Sequence, residues 1–511
     1  MAKIGELMQK FIMSNPDRAL KFFASRSAEW WERRGEKKAL QTFHATAERV
    51  PAYKDFLKKH GITDHTKIQT LEDFKKYVPL LTKENYILAY DLKERLAVPY
   101  EDLFTISTSS GTMDKPIYWP RTAFQDKMTS RYFELIFRDV YQIHKLSTLA
   151  IVAFSLGNYI AGELVNFVVK DIALRNKNKV SVATPGSDLE GVLQILTGFL
   201  DKYDQTVIFC YPSLFRILIE EGKKVGINWK NYNVKWCYGG EPCPPKMKAK
   251  IKAEVLGEKE DYTFILAVYG AADAGGIGFG NPFTNLLEEI IQTNPKIQEG
   301  LRKRGIELEG SLVQVNPLAY FIEEEDDYLI ITTGGAVPLV RYNIKDLGEI
   351  ILFEEMNTIL KEGGINIQEL LREKLHSYYL MKQPLVLIKG REAAVSLDGA
   401  NVFHYQVKEI IEKSPHFNSV KIGKKELEGG NVKFAVYLEL KKDIQLSSNE
   451  IEKLKKEYRD KILNHLLEVN YDFRRSYQDN PTLCDPEIII RKFGEKEFAP
   501  TKSGKFKPIV I

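Results

Sequence analysis

Three runs decide the fold: Val207-Ile-Phe-Cys-Tyr211, the segment Ser213 to Val225, and Val234-Lys-Trp-Cys-Tyr238. The first and third are short, apolar and β-prone, and the middle one repeats its apolar residues at helical spacing. A strand, a helix and a strand in that order make a βαβ unit, which requires parallel pairing. The pattern extends both ways. Upstream lie Leu149-Ala-Ile-Val-Ala-Phe154, a helix over Gly162 to Leu174, Val180-Ser-Val-Ala183 and a helix over Ser187 to Tyr203. Downstream come a helix near Lys246 to Val255 and a strand over Thr263 to Tyr269. Repeated alternation predicts an α/β chain with a largely parallel sheet.

The flanks read differently. Residues 1 to about 100 are helical, with Ala28 to Arg49 and Leu71 to Lys76 the clearest helices, broken by Pro51 and Pro79. After Gly310 the texture becomes hairpin-like, as in Tyr328-Leu-Ile-Ile-Thr-Thr333. Beyond Gly390 a smaller α+β unit is expected: a helix over Val402 to Lys413, a strand over Lys433 to Leu440 and a charged helix over Ser447 to Val469. The division predicted is 1–389 and 390–511. Between Asp346 and Gly390 the helical Asn366 to His376 reads as an inserted contact surface.

Composition narrows the class. The chain has 511 residues, 44% of them apolar, with 73 basic against 69 acidic side chains. That is ample for a core, and a net charge of +4 excludes a nucleic-acid binder driven by overall charge. Cys210, Cys237, Cys243 and Cys484 are too scattered for a disulfide scaffold, which favours a cytoplasmic setting. The most apolar stretch, Thr148 to Leu174, carries Asn158, Glu163, Asn166, Lys170 and Asp171, so stable membrane insertion is not expected. The amphipathic residues 4–12 read as a helix packed on its own domain. The eight histidines form no H-E-x-x-H pattern, and there is no G-x-S-x-G elbow, Walker A loop or G-x-G-x-x-G fingerprint.

Six segments could carry chemistry. Thr105-Ile-Ser-Thr-Ser-Ser-Gly-Thr-Met-Asp-Lys-Pro116 packs six hydroxyls, a glycine and a lysine into one loop, a composition suited to an anion nest and equally common in ordinary loops. Trp236-Cys-Tyr-Gly-Gly-Glu-Pro242 and Val268-Tyr-Gly-Ala-Ala-Asp273 are glycine-rich strand exits ending in an acid. Ligands collect at such exits in parallel sheets, although turns share the composition. In Pro338-Leu-Val-Arg-Tyr-Asn-Ile-Lys-Asp346 the aspartate could accept from ribose hydroxyls, or could be a salt-bridge partner of Arg341 and Lys345. Ile388-Lys-Gly-Arg391 lies at the expected domain junction, and Thr501-Lys-Ser-Gly-Lys-Phe506 is a basic tail. Aromatic residues near Phe154 to Tyr159, Tyr238 and Gly275 to Phe279 are candidate walls of a substrate pocket.

Taken in order, these segments resemble the adenylate-forming, acyl-CoA synthetase-like superfamily, and within it the phenylacetate–CoA ligase and CapK branch. Ser109 to Pro116 stands at the branch's Ser-Ser-Gly-Thr-Thr-Gly-Lys-Pro loop, and Tyr269-Gly-Ala-Ala-Asp273 at its Tyr-Gly-x-Ser/Thr-Glu motif. Arg341-Tyr-Asn-Ile-Lys-Asp346, Gly399-Ala-Asn-Val-Phe403 and Ser503-Gly-Lys505 follow in order, and Leu71 to Lys83 resembles the stretch ahead of the loop. The likeness implies a large N-terminal domain of several subdomains and a small mobile α+β C-terminal domain. It implies activation of a small carboxylic acid by ATP to an acyl-adenylate, then transfer to a thiol, with coenzyme A the first-choice acceptor.

By that resemblance Ser109, Ser110, Gly111, Thr112 and Lys115 would hold phosphates, and Gly239, Gly240, Glu241, Tyr269 and Gly270 would frame adenine. Asp346 and Arg391 would hold the ribose, Asp273 a Mg²⁺ ion, and Lys505 would be the catalytic lysine. The sequence departs from the pattern at Met113-Asp114 in place of Thr-Gly, at Ala272, at Asp273 in place of glutamate, and after Arg391, where Glu-Ala-Ala lacks the usual acidic pair. These departures keep two alternatives open: an adenylating ligase with a protein or amine acceptor, and a nucleotide-binding protein without catalysis. A homodimer is compatible with the sequence, which does not name the acid.

Overall fold

The structure, a computed structural model, describes residues 15–109, 117–175, 177–241, 243, 245–306, 310–375, 378–391, 394–427, 432–442, 444–498 and 509–510. Two compact units divide between Gly390 and Arg391. The first holds residues 1–108, 118–210 and 222–390. The second holds 391–511 together with the short segments 109–117 and 211–221.

The first unit is built on one eleven-stranded sheet. Chain order gives β1 (Leu103–Ser109) and β2 (Ile117–Thr122) as a separate pair, then β3 (Thr148–Val152), β4 (Val180–Ala183), β5 (Gln205–Phe209), β6 (Val234–Gly239) and β7 (Ile265–Ala271). These are followed by β8 (Gly275–Phe279), β9 (Ser311–Val315), β10 (Phe321–Glu325), β11 (Tyr328–Thr333), β12 (Leu339–Ile351) and β13 (Leu385–Arg391). The order across the sheet is β10-β11-β12-β13-β9-β8-β7-β6-β5-β3-β4. From β4 to β7 every pairing is parallel. Every residue of β3, β5 and β6 is buried, as expected of strands covered by helices on both faces.

The parallel character ends at β7. It turns back into β8 as a tight antiparallel hairpin, with Gly270 opposite Gly276, and β8 pairs antiparallel with β9. β10, β11 and β12 form an antiparallel meander. The sheet is therefore mixed, and less parallel than the βα alternation predicts. Periodicity cannot report strand direction once helices no longer intervene.

Elements fall within a few residues of their predicted places because local signals set their ends. The helix Ala123–Val140 starts on a capping box in which Thr122 and Gln125 satisfy each other's backbone groups. The Asp346–Gly390 stretch differs from expectation. It contains two helices, Phe353–Glu362 and Ile367–Lys374, rather than one. Phe353, Met356, Ile359 and Leu360 of the first helix are buried in one core with Leu286 and Leu301, whereas the second buries Ile367 and leaves Gln368, Glu369, Arg372, Glu373 and Lys374 exposed.

The second unit has a four-stranded sheet of order β18-β17-β16-β19: β16 (Phe417–Glu426), β17 (Val432–Leu440), β18 (Glu487–Arg491) and β19 (Ile509–Val510). A small hairpin of β14 (Ala394–Leu397) and β15 (Ala400–Phe403) accompanies it. The helix Ser448–Val469, opened by the Ser447–Glu450 capping box, buries Leu454, Tyr458, Ile462, Leu463 and Leu466.

Candidate active site

The strand order places β3 between β4 and β5 and leads on through β6 and β7, so the switch point of the parallel half lies at β3 and β5. Ligands bind outside the carboxyl ends of such strands. Gly239, Tyr269 and Gly270 lie toward the carboxyl ends of the neighbouring strands β6 and β7, and glycines make the crowding feasible. β6 ends at Gly239, where an added Cβ would sit 2.8 Å from the carbonyl oxygen of Val268 in β7. Gly240 then turns with φ +76°, a left-handed conformation suited to glycine, and delivers the buried Glu241. At Gly270 a Cβ would meet the carbonyl oxygen of Gly275 at 2.9 Å.

Two tyrosine–aspartate pairs cross from β7 to β12. The Tyr269 hydroxyl donates to Asp346 Oδ2 at 2.9 Å, both residues buried. The Tyr342 hydroxyl donates to Asp273 Oδ2 at 2.9 Å. Asp273 is on the turn between β7 and β8, and its other carboxylate oxygen, Oδ1, is buried without a hydrogen-bond partner among the described residues. The sequence motifs containing Tyr269, Asp273 and Asp346, 77 positions apart at their extremes, thus meet in one place.

Arg341 and Lys345, read from sequence as possible partners of Asp346, lie elsewhere. The Arg341 guanidinium donates to the carbonyls of Lys75 and Val78 at 2.6 Å each and pairs with Glu325 at 2.6 Å and Glu323 at 3.3 Å. It fastens the N-terminal helical region to the β10–β12 meander. Lys345 lies over the Tyr328 ring.

The β1–β2 pair, which flanks the loop predicted to hold phosphates, is anchored at several points. Thr108 N–H donates to Asn158 O at 2.9 Å, joining the end of β1 to the loop after β3. Thr105 and Arg121 both donate to the buried Asp126, at 2.9 Å and 2.5 Å. Arg121 packs against Gly275 beside the Asp273 turn. Sequence reading missed Arg121, Asp126 and Tyr342 as parts of this region. The available signal for Asp126 was weak, because its helix face also carries the buried polar side chains of Ser130, Glu134 and Arg138.

Ser109 ends β1, while Ser110, Gly111, Thr112, Lys115 and Lys505 lie outside the described residues. Arg391 closes β13 and belongs to the second unit. Of the proposed pocket walls, Tyr238 is taken up by the core: its hydroxyl bonds Ser311 Oγ at 2.8 Å and its ring lies 4.9 Å from Trp236. Phe279 packs edge-on against Phe133, with ring centroids 4.4 Å apart. Among the described residues no three His, Cys, Asp or Glu side chains gather as a metal cluster, and no helix is long and apolar enough to cross a membrane.

No protein-family profile matches the chain, and no curated protein matches its sequence. Solved structures do. The chain is similar to 2-hydroxyisobutyryl-CoA ligase in complex with 2-HIB-AMP and CoA in the thioesterification state, at TM-score 0.61 and 14% identity, covering 95% of this chain and 90% of that one. The same ligase in the postadenylation state with 2-HIB-AMP aligns at TM-score 0.54, with the same identity and coverage. Its open conformation aligns at 0.53, covering 95% of both chains. The class of fold is therefore that of adenylate-forming CoA ligases. In particular the chain shares, along nearly its whole length, the fold of a CoA ligase captured with an acyl-AMP.

Proposed function

We propose that this protein is an AMP-forming ligase that activates a carboxylic acid with ATP and passes the acyl group to a thiol, coenzyme A first among the acceptors. The observation carrying this reading is the pair of β7–β12 contacts. They bring Tyr269, Asp273 and Asp346, which the sequence likeness names as site residues, together where β7 ends and β12 passes. The fold and the sequence likeness to the phenylacetate–CoA ligase and CapK branch support it further.

In this reading Gly239, Gly240, Glu241, Tyr269 and Gly270 border the adenine, and Asp346 receives the ribose hydroxyls with Arg391. The triphosphate lies along Ser109 to Thr112 and Lys115. Mg²⁺ is a fitting resident because Asp273 Oδ1 is an acceptor with no partner among the described residues. A single carboxylate plus phosphate oxygens is a usual Mg²⁺ donor set. When bound, the ion neutralises phosphate charge. Lys505 donates to the attacking carboxylate and the α-phosphate, where fixed positive charge counts most as negative charge redistributes in the transition state.

A second reading, with a protein thiol or an amine as acceptor, is favoured by the Glu-Ala-Ala that follows Arg391 in place of an acidic pair.

The test is acid-dependent ATP–pyrophosphate exchange over a panel of aryl and short acyl acids, followed by thioester formation with coenzyme A. Lys505→Ala is expected to lower exchange about 100- to 1000-fold while leaving ATP binding intact, in line with the loss of one preorganised charge. Exchange without coenzyme A thioester selects the second reading. Exchange unaffected in Lys505→Ala refutes the lysine's role.

A further inference from the structure

The superfamily pattern has glutamate where this chain has Asp273, one methylene shorter. The structure pairs that shorter acid with a tyrosine. Tyr342 is fully buried, and its hydroxyl holds Asp273 Oδ2 at 2.9 Å, which leaves the buried Oδ1 as the acceptor without a partner among the described residues.

The backbone that delivers Tyr342 is itself unusual. Arg341, its neighbour, has φ +46°, a conformation L-residues avoid. The β11–β12 register shifts between Ile331 and Thr333, beside Tyr342. The strained residue is held from both directions. Its N–H donates to Thr332 Oγ1 at 2.9 Å, its carbonyl accepts from Leu81 N–H at 3.0 Å, and its guanidinium makes the four contacts described above. Strain of this kind persists only where surrounding structure enforces it. Here it marks the point at which β12 must bulge to carry the Tyr342 ring toward the β7–β8 turn.

We infer that Tyr342 is a positioning residue that fixes the Asp273 carboxylate in one orientation, so that Oδ1 is presented to the divalent cation accompanying the nucleotide. The inference rests on the nucleotide-site reading and adds to it a residue outside the ligand set. A carboxylate on a hairpin turn rotates freely about its last bond. A donor fixed to one oxygen removes that freedom before the cation arrives, the usual service of an outer-shell partner.

The experiment measures affinity for a non-hydrolysable ATP analogue with and without Mg²⁺, using full-length protein. It compares wild type, Tyr342→Phe, Asp273→Ala and the double variant, with a thermal melt of each. Removing the hydroxyl is expected to leave metal-free affinity and melting temperature near wild type and to lower the Mg²⁺-induced gain about tenfold. In the Asp273→Ala background the same change should have no further effect, since the two act as one unit. An unchanged Mg²⁺ gain in Tyr342→Phe overturns the inference and leaves the nucleotide site standing. A loss of metal-free affinity equal to the loss with Mg²⁺ overturns it too, by assigning Tyr342 to packing. Equal losses in both backgrounds do the same. A wild-type protein that binds no nucleotide at all overturns the inference together with the reading beneath it.

Discussion

Asp139 lies in the last turn of the helix Ala123–Val140 and lines a cavity of about 20 Å³ with Tyr132, Phe279, Tyr378 and Gln383, room for a single water. Its carboxylate accepts the Tyr379 N–H at 3.1 Å, and no cation pairs with it among the described residues. Burial therefore lifts its pKa from 3.8 to about 7, the one hydrogen bond offsetting only part of the desolvation. The end of a helix also disfavours negative charge. Unfolding returns the group to its ordinary value, so between pH 4 and 7 the folded chain holds a proton that the unfolded chain has lost. Stability then falls as pH rises through this window, and the full cost of ionising Asp139 is present above pH 7. Across the two units from pH 5 to 7, at about 1.36 kcal/mol each, the loss approaches 2.7 kcal/mol, and partial exposure brings it to about 2 kcal/mol. Asp139→Asn keeps the acceptor for Tyr379 and cannot ionise. Urea unfolding at pH 5 and pH 8.5 should show the variant gaining about 2 kcal/mol on wild type at the higher pH, all other titrations cancelling in the difference. An identical pH dependence in the two proteins refutes the argument, because it would mean that Asp139 is ionised throughout.

Two further substitutions test what holds the site. Arg341→Ala leaves Glu323, which is 4% exposed, buried without its cation and removes two carbonyl partners, so stability should drop about 3–5 kcal/mol by denaturant unfolding. A drop under 1 kcal/mol would show that the clamp contributes little. Gly239→Ala drives a methyl group to 2.8 Å from the Val268 carbonyl, and nucleotide affinity should fall with stability as β6 and β7 separate; wild-type affinity in a binding titration would place the adenine elsewhere.

The sequence by itself determined which segments become strands and helices and which residues line their ends. Alternation of apolar runs and 3.6-residue periodicity is a local signal, and caps such as Thr122 with Gln125 are local chemistry. It also named Tyr269, Asp273 and Asp346, because each sits in a short motif whose composition survives in one dimension. Only the tertiary structure decided who faces whom. Arg341 looked like a partner for Asp346 from five positions away in sequence, yet it reaches the carbonyls of Lys75 and Val78, more than 260 residues distant. The helix Phe353–Glu362, which the sequence reading did not single out, became core, because its apolar face meets the helices Pro282–Thr293 and Pro295–Lys303. Tyr342 carried no legible role until β12 bulged and set its hydroxyl on Asp273. Hydrogen bonds between strands and side chains depend on register and bulges, which are settled by packing over the whole sheet and leave no periodic trace in the residues that make them.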